Sequence, residues 1–272
     1  MRVRALAALE QRTPFKFFSQ PPIQEMRMSE VIIEQHGKVT LFTINRPERK
    51  NAICKETALQ LQAGFAEFDA SEQRVAVITG AGNDAFSSGA DVTNLPELWR
   101  CIPGSGFTTD KPIIAATAGW VVGGALVLTM MCDLIVAAEN TRFSYPEARL
   151  GFTGGMIAGL AARIPHKAAM DLMLLGRPMS AERAYSVGLA SDVVETGKQL
   201  EVAMEQAQTM ANSAPLVLAT IKRFVNQNVL PKSPSEIMSE TMRQLEVVRE
   251  SADTREGMAA FREKRVPNYT GR

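Results

Sequence analysis

Two short runs near the start, Val31–Glu34 and Lys38–Ile44, are rich in β-branched and apolar residues on either side of His36-Gly37, which predicts a pair of strands joined by a turn. Asn45–Asn51 is a basic loop broken by Pro47, and then the spacing of Ala58, Leu61, Phe65 and Phe68 predicts a helix over Lys55–Asp69. Val75–Thr79 and Pro112–Thr117 read as strands. Between them lie a Gly/Asn turn at Gly80–Asp84, a tight small-residue stretch at Phe86–Asp91, a brief helix at Leu95–Arg100 and a loop at Gly104–Gly106. Gly123-Gly124 opens an apolar run, and Leu134–Ala138 reads as another strand. Past Gly155 the periodicity becomes helical over Leu160–Ile164, Ala168–Leu175 and Ala181–Val187, with Gly188 as a stop and a short strand at Ala190–Val194. From Leu200 to Phe261 the pattern is almost entirely helical, interrupted at Pro215, Pro231 and Pro234. No internal repeat is visible. Strands alternating with helices predict a mixed α/β fold with right-handed crossovers. The expected organisation is an N-terminal extension over 1–27, a core over 28–200, and a helical region over 201–272 that packs on the core or on a neighbouring subunit.

Composition narrows the function classes. A net charge of +1 supplies no field for nucleic acid or a membrane surface, and 6% aromatic residues supply no stacking platform for single strands. The three cysteines (Cys54, Cys101 and Cys132) are widely spaced without a CxxC, and only two histidines accompany them, so neither disulfides nor a metal centre is expected. The best apolar run, Val121–Met131, ends at Asp133, short of the roughly 18 residues a membrane span needs. The first residues lack a secretory h-region, and the expected setting is the reducing cytoplasm.

Two glycine-rich turns stand at the carboxyl ends of predicted strands, Ser88–Asp91 and Gly119–Gly124. A helix starting at Gly123-Gly124 would present amides without intrahelical partners. One N–H from each turn converging on one oxygen would hold a carbonyl as it becomes an anion. Glu147, an isolated carboxylate in a Pro-flanked turn, is the expected acid/base across the same pocket. Burial beside Val127 and Phe152 would raise its pKa toward neutrality. GxGxxG after the first strand, the Walker pattern and GxSxG are all absent.

Ala85–Asp91, Pro112–Ala116 with Gly119, Gly123-Gly124 before Met130–Asp133, and Pro146–Gly151 together resemble the crotonase (enoyl-CoA hydratase/isomerase) family in type and order. Asn45-Arg46-Pro47 with Asn51-Ala52, and Arg255–Met258 with Phe261 and Glu263–Arg265, extend the resemblance from Met28 to the C-terminus. It implies a crotonase-like ββα superhelix with a helical C-terminal trimerisation region, and a homotrimer or dimer of trimers. It also implies an acyl-CoA substrate, with coenzyme A as part of that substrate and no other cofactor. Carried over by position, the oxyanion donors are Ala90 and Gly124. Coenzyme A runs past Arg49, Lys50, Ala52, Asp91 and Val92, and Phe261 and Lys264 reach the CoA of a neighbouring subunit.

Hydratases of this family use two glutamates; the second matches Glu147, but the first falls on Val127. One carboxylate suits a proton shuttle, so the expected reaction is 3-enoyl-CoA to 2-enoyl-CoA isomerisation. The alternatives are hydration of 2-enoyl-CoA despite Val127, or CoA binding with little catalysis. Asp91, Glu97, Asp133 and Glu139 are weaker candidates for a second acid. The segment from Asp91 to Lys111 is also shorter than is usual for the family, which bears on the acyl pocket.

Overall fold

The computed structural model of the chain describes residues 29–272; the expected extension over 1–27 lies outside them. The chain runs β1 (Val31–His36), β2 (Val39–Ile44), α1 (Lys55–Ala70), β3 (Val75–Gly80), β4 (Ala85–Ser87), β5 (Ile113–Thr117), β6 (Trp120–Val122), α2 (Gly124–Met130), β7 (Leu134–Ala138), β8 (Arg142–Ser144) and α3 (Glu147–Leu150). It continues through α4 (His166–Met170), β9 (Met179–Ser180), α5 (Ala181–Ser186), β10 (Asp192–Val194), α6 (Gln199–Ala211), α7 (Pro215–Phe224), α8 (Pro234–Arg249) and α9 (Ala252–Glu263).

The predicted strands all fall in one six-stranded sheet, ordered β1-β2-β3-β5-β7-β10. Only β1 and β2 pair antiparallel; the other neighbours are parallel. The central strands β3, β5 and β7 are covered on both faces and are almost continuously apolar, as buried parallel strands are, whereas the edge strand β1 is exposed after Val31. Side-chain alternation splits them. Val75, Val77, Ile114, Ala116 and Val136 face α6, whose Ala203, Ala207 and Ala211 are small enough to seat the helix closely. Ala76, Ile78, Ile113, Ala115, Ile135 and Ala137 face the main core with α1 and α2. There Phe65 stacks between Phe42 and Phe107 at centroid distances of 4.1 and 4.2 Å.

A second sheet, β4-β6-β8-β9, was not expected. Its strands are two or three residues long and too short to show a period. They explain the architecture, because β3, β5 and β7 are each followed directly by β4, β6 and β8. The chain therefore coils as a superhelix of ββ turns, a repeat in structure with no counterpart in sequence. Asn140 ties adjacent corners, its Oδ1 accepting from Gly119 N at 3.1 Å and its Nδ2 donating to Asn83 O at 2.9 Å.

Two predicted helices come out differently. Leu95–Arg100 is a single 3-10 turn at Leu98–Cys101, and Leu160–Ile164 belongs to a 3-10 stretch at Met156–Ala162. The C-terminal helices fasten to their own core. On α7, Lys222 Nζ donates to Asp133 Oδ2 and to Lys111 O, each at 2.7 Å. On α8, Arg243 Nη1 donates to Ser105 O at 2.7 Å, and Glu246 pairs with Arg100 at 2.6 Å. α9 packs on α8.

Candidate active site

The superhelix places two turns side by side. Ile53 bridges Ala90: its N–H donates to Gly89 O at 2.7 Å, and its carbonyl accepts from Asp91 N at 2.8 Å. A parallel bridge of this kind uses the groups that flank Ala90, so the Ala90 N–H points away from Ile53. The turn is pressed against the segment leading into α2. A Cβ on Gly89 would lie 2.7 Å from Val122 O and 3.7 Å from Gly124 N. Gly89 has φ +90°, a conformation that only glycine adopts freely. Gly124 is the first residue of α2 and has no intrahelical acceptor for its amide. Among the described residues, neither the Ala90 nor the Gly124 amide donates to a protein group. The two donors expected from the sequence are thus brought together.

Glu147 stands at the first position of α3, which Gly151 closes in the left-handed conformation, rather than in an open turn. Its Oε1 comes within 2.4 Å of where a Cβ on Gly123 would sit, so the carboxyl lies against the glycine beside the Gly124 donor. Its Oε2 is buried without a hydrogen-bond partner. Burial pushes the carboxyl up to about 7, with a backbone hydrogen bond opposing it. Phe152 is not the cause, since it is 65% exposed; Val127, at 6%, is buried as expected. Leu98, unnoticed in the sequence, lies over Gly124, with Cδ1 2.6 Å from a Cβ placed there. Its apolar side chain covers Gly124 beside the carboxyl, and nothing in its local pattern distinguishes it from a core leucine.

The alternative acids are occupied elsewhere. Asp133 accepts from Ile113 N and Lys222, both at 2.7 Å, and is structural. Glu97 pairs with Arg100 at 2.7 Å. Glu139 is instead exposed, at the corner that follows β7. The Asp91 carboxylate is turned inward: Oδ1 accepts from Thr93 N at 3.0 Å and from Thr93 Oγ1 at 2.6 Å, and Oδ2 accepts from Arg46 Nη1 at 3.0 Å. These contacts, the Thr93 hydroxyl foremost, hold its carboxyl down at about 2.

Arg49 and Lys50 are exposed beside the same turn, where Ser88 N donates to Lys50 O at 2.9 Å. Ala52 is buried in that loop, and Val92 is exposed beyond it. Phe261 and Lys264 lie at the end of α9, and Phe261 is 86% exposed. Contacts within one chain do not bring them to the pocket. Among the described residues no group of three or more His, Cys, Asp or Glu could hold a metal ion.

The site as assembled is two amides without protein acceptors beside a half-buried carboxyl that has one unpartnered oxygen and is pushed up to about 7. The sequence matches the enoyl-CoA hydratase/isomerase family model over residues 34–272. The chain belongs to the enoyl-CoA hydratase/isomerase family. Among its family relatives, a carnitinyl-CoA dehydratase of Salmonella typhi is 35% identical over 262 aligned positions, covering 90% of this chain and all of the relative. A carnitinyl-CoA dehydratase of Escherichia coli O157:H7 matches to the same extent. Among solved structures of the family, an enoyl-CoA hydratase from Mycobacterium tuberculosis H37Rv superposes with a TM-score of 0.69 at 32% identity, covering 90% of this chain and 100% of that one. A carnitinyl-CoA hydratase from Mycobacterium avium gives 0.70 at 32% with the same coverage. The family and the crotonase fold expected from the motifs both hold.

Because the Glu147 carboxyl titrates near 7, kcat/KM should rise with pH through about 7 as the base form appears. A pH–rate profile that stays flat from pH 5 to 9 would remove Glu147 from the role of base.

Proposed function

We propose that this chain is an acyl-CoA hydro-lyase that interconverts a 3-hydroxyacyl-CoA and a 2-enoyl-CoA with Glu147 as its single acid/base. The observation that carries the reading is the half-buried Glu147 carboxyl, one oxygen of which has no partner, beside two free amides. The choice of hydration over isomerisation is supported by relatives and structural neighbours named dehydratase or hydratase. In the dehydration direction, Glu147 takes a proton from Cα. The electron pair moves to the thioester oxygen, which is held by the Ala90 and Gly124 amides. The enolate then re-forms the carbonyl as the Cα–Cβ double bond forms and the Cβ–O bond breaks. The hydroxyl leaves as water with the proton that Glu147 returns. One carboxyl suffices when proton and hydroxyl depart on the same face, and a pKa near 7 suits a group that must both accept and return a proton. Coenzyme A enters as part of the substrate, with Arg49 and Lys50 available to its phosphates, and this chemistry needs no further cofactor.

Val127 favours a second reading, isomerisation of 3-enoyl-CoA, because a buried valine cannot hold the water. Incubating the protein separately with 2-enoyl-CoA and 3-enoyl-CoA decides between them. Water addition to the former supports the hydro-lyase; conversion of the latter alone transfers the assignment to isomerisation. Val127→Glu would place a carboxyl one turn after Gly124, and hydration is expected to rise at least about tenfold, within the range of one general acid/base. An unchanged rate would mean that position 127 does not face the reacting carbons.

We also propose a homotrimeric assembly in the cytoplasm, with Phe261 and Lys264 completing a neighbour's CoA site. Val217, Ile221 and Phe224 are exposed along one face of α7 in the single chain, an apolar stripe that wants cover. The three unpaired cysteines suit a reducing compartment. Sedimentation at three times the 29.7 kDa chain mass is expected; a monomer would overturn the assembly.

A further inference from the structure

Arg46 reads in the sequence as one cation of a basic loop. In the structure it is the hub of that loop. Its side chain is only 12% exposed. Nε pairs with Glu30 Oε2 at 2.6 Å, while Nη1 donates both to Ala52 O at 2.6 Å and to Asp91 Oδ2 at 3.0 Å. Its backbone N–H donates to Asn51 Oδ1 at 3.0 Å. The Asn51 amide reaches on to Ala81 O and Ala85 O at 3.0 and 2.8 Å, anchoring the loop to the turn after β3. One guanidinium therefore joins the loop beside the phosphate cations to the residue that follows the Ala90 donor. Asp91, 8% exposed, is locked on one oxygen by Thr93 and on the other by Arg46. The peptide between Gly89 and Ala90 is thus held from two sides, by Ile53 through the backbone and by the Asp91 carboxylate through Arg46.

We propose that Arg46 is a positioning residue for the reaction, fixing the direction of the Ala90 N–H through Asp91. This inference rests on the reading of Ala90 and Gly124 as the thioester oxyanion hole. Planar geometry matters here: two acceptors share one Nη1 while Nε serves a third, a pattern that a lysine ammonium at the same site cannot reproduce. The consequence falls on the transition state rather than on substrate capture, because an oxyanion donor that is slightly misaimed still binds a neutral carbonyl.

The test is Arg46→Met and Arg46→Lys, read by steady-state kinetics and by the vibrational frequency of the thioester carbonyl in a bound, non-reacting saturated acyl-CoA. For Arg46→Met, kcat should fall by about 10–100-fold while KM changes less than about threefold. The downshift of the carbonyl stretch expected in the unsubstituted protein should shrink with it. Arg46→Lys should recover part of both. If Arg46→Met folds poorly, Asp91→Asn serves instead, since it removes the charge partner with little change in volume. Unchanged kcat and carbonyl frequency in a folded variant overturn the role of Arg46. Absence of a carbonyl shift in the unsubstituted protein overturns the oxyanion-hole reading itself. A fall in apparent kcat that matches the loss of folded fraction, with KM and the carbonyl shift of the folded protein unchanged, marks Arg46 as structural only.

Discussion

Replacing Glu147 by Gln should lower turnover by about 10²–10⁴-fold, the range expected when a positioned general acid/base is removed. Binding of acyl-CoA should be nearly unaffected, because the amide keeps the shape and the Ala90 and Gly124 donors remain. The same substitution should change stability in a pH-dependent way. In the unfolded chain this carboxyl titrates at the ordinary glutamate value of 4.5, and in the fold at about 7. The fold thus prefers the neutral form. Stability is complete below the lower value and declines as pH rises through the higher one. Glutamine carries no charge to desolvate. The variant should therefore be more stable than the unsubstituted protein at pH 8, by on the order of 1–2 kcal/mol after allowing for partial solvent contact, and should lose that advantage at pH 4. Thermal unfolding at the two pH values measures the difference. A variant that keeps more than about a tenth of the turnover, or that is destabilised at pH 8, would show that Glu147 is neither the base nor strained by burial.

Gly89→Ala is expected to have the second-largest effect, about a 10²–10³-fold loss in kcat, comparable to deleting an oxyanion donor. The added Cβ would meet the Val122 carbonyl oxygen at 2.7 Å, at a residue held at φ +90°. Val122 O is backbone, so it cannot swing aside as a side chain would. The turn carrying Ala90 must move away from Gly124, and the two amides no longer point at one oxygen. Gly37→Ala is the matched control. Gly37 also has positive φ, +63°, but a Cβ there meets nothing within 4 Å, and it sits in the hairpin turn between β1 and β2. It should cost about 1 kcal/mol or so of stability from the strained backbone and leave kcat unchanged. Equal kinetics in the two variants would sink the account of the Gly89 turn as half of the oxyanion hole.

The proposed catalytic residues were legible because their chemistry is written in short contiguous motifs. Ala90 follows a glycine in a tight small-residue turn, Gly124 opens a helix, and Glu147 is an isolated carboxylate after a proline. What escaped was what those residues touch. Leu98 walls the site from a segment with no regular period. Arg46 looked like any loop cation until Ala52, Asp91 and Glu30 converged on it from three parts of the chain. Asp91 was expected along a CoA path, and the fold turns its carboxylate into that same convergence.

By itself the sequence determined the six strands of the main sheet and the long helices. Their periods, β-branched runs and proline and glycine stops are local properties that every turn of the chain carries with it. It also determined the family, through motifs whose order survives whatever the rest of the chain does. The tertiary structure alone decided that β4, β6, β8 and β9 form a second sheet, since strands of two or three residues exist only when a neighbour pairs with them. It alone decided that Glu147 rests on Gly123 with one oxygen unpartnered. A carboxyl is pushed to about 7 by lost water, and which water is lost depends on residues far away in sequence that the fold packs around it.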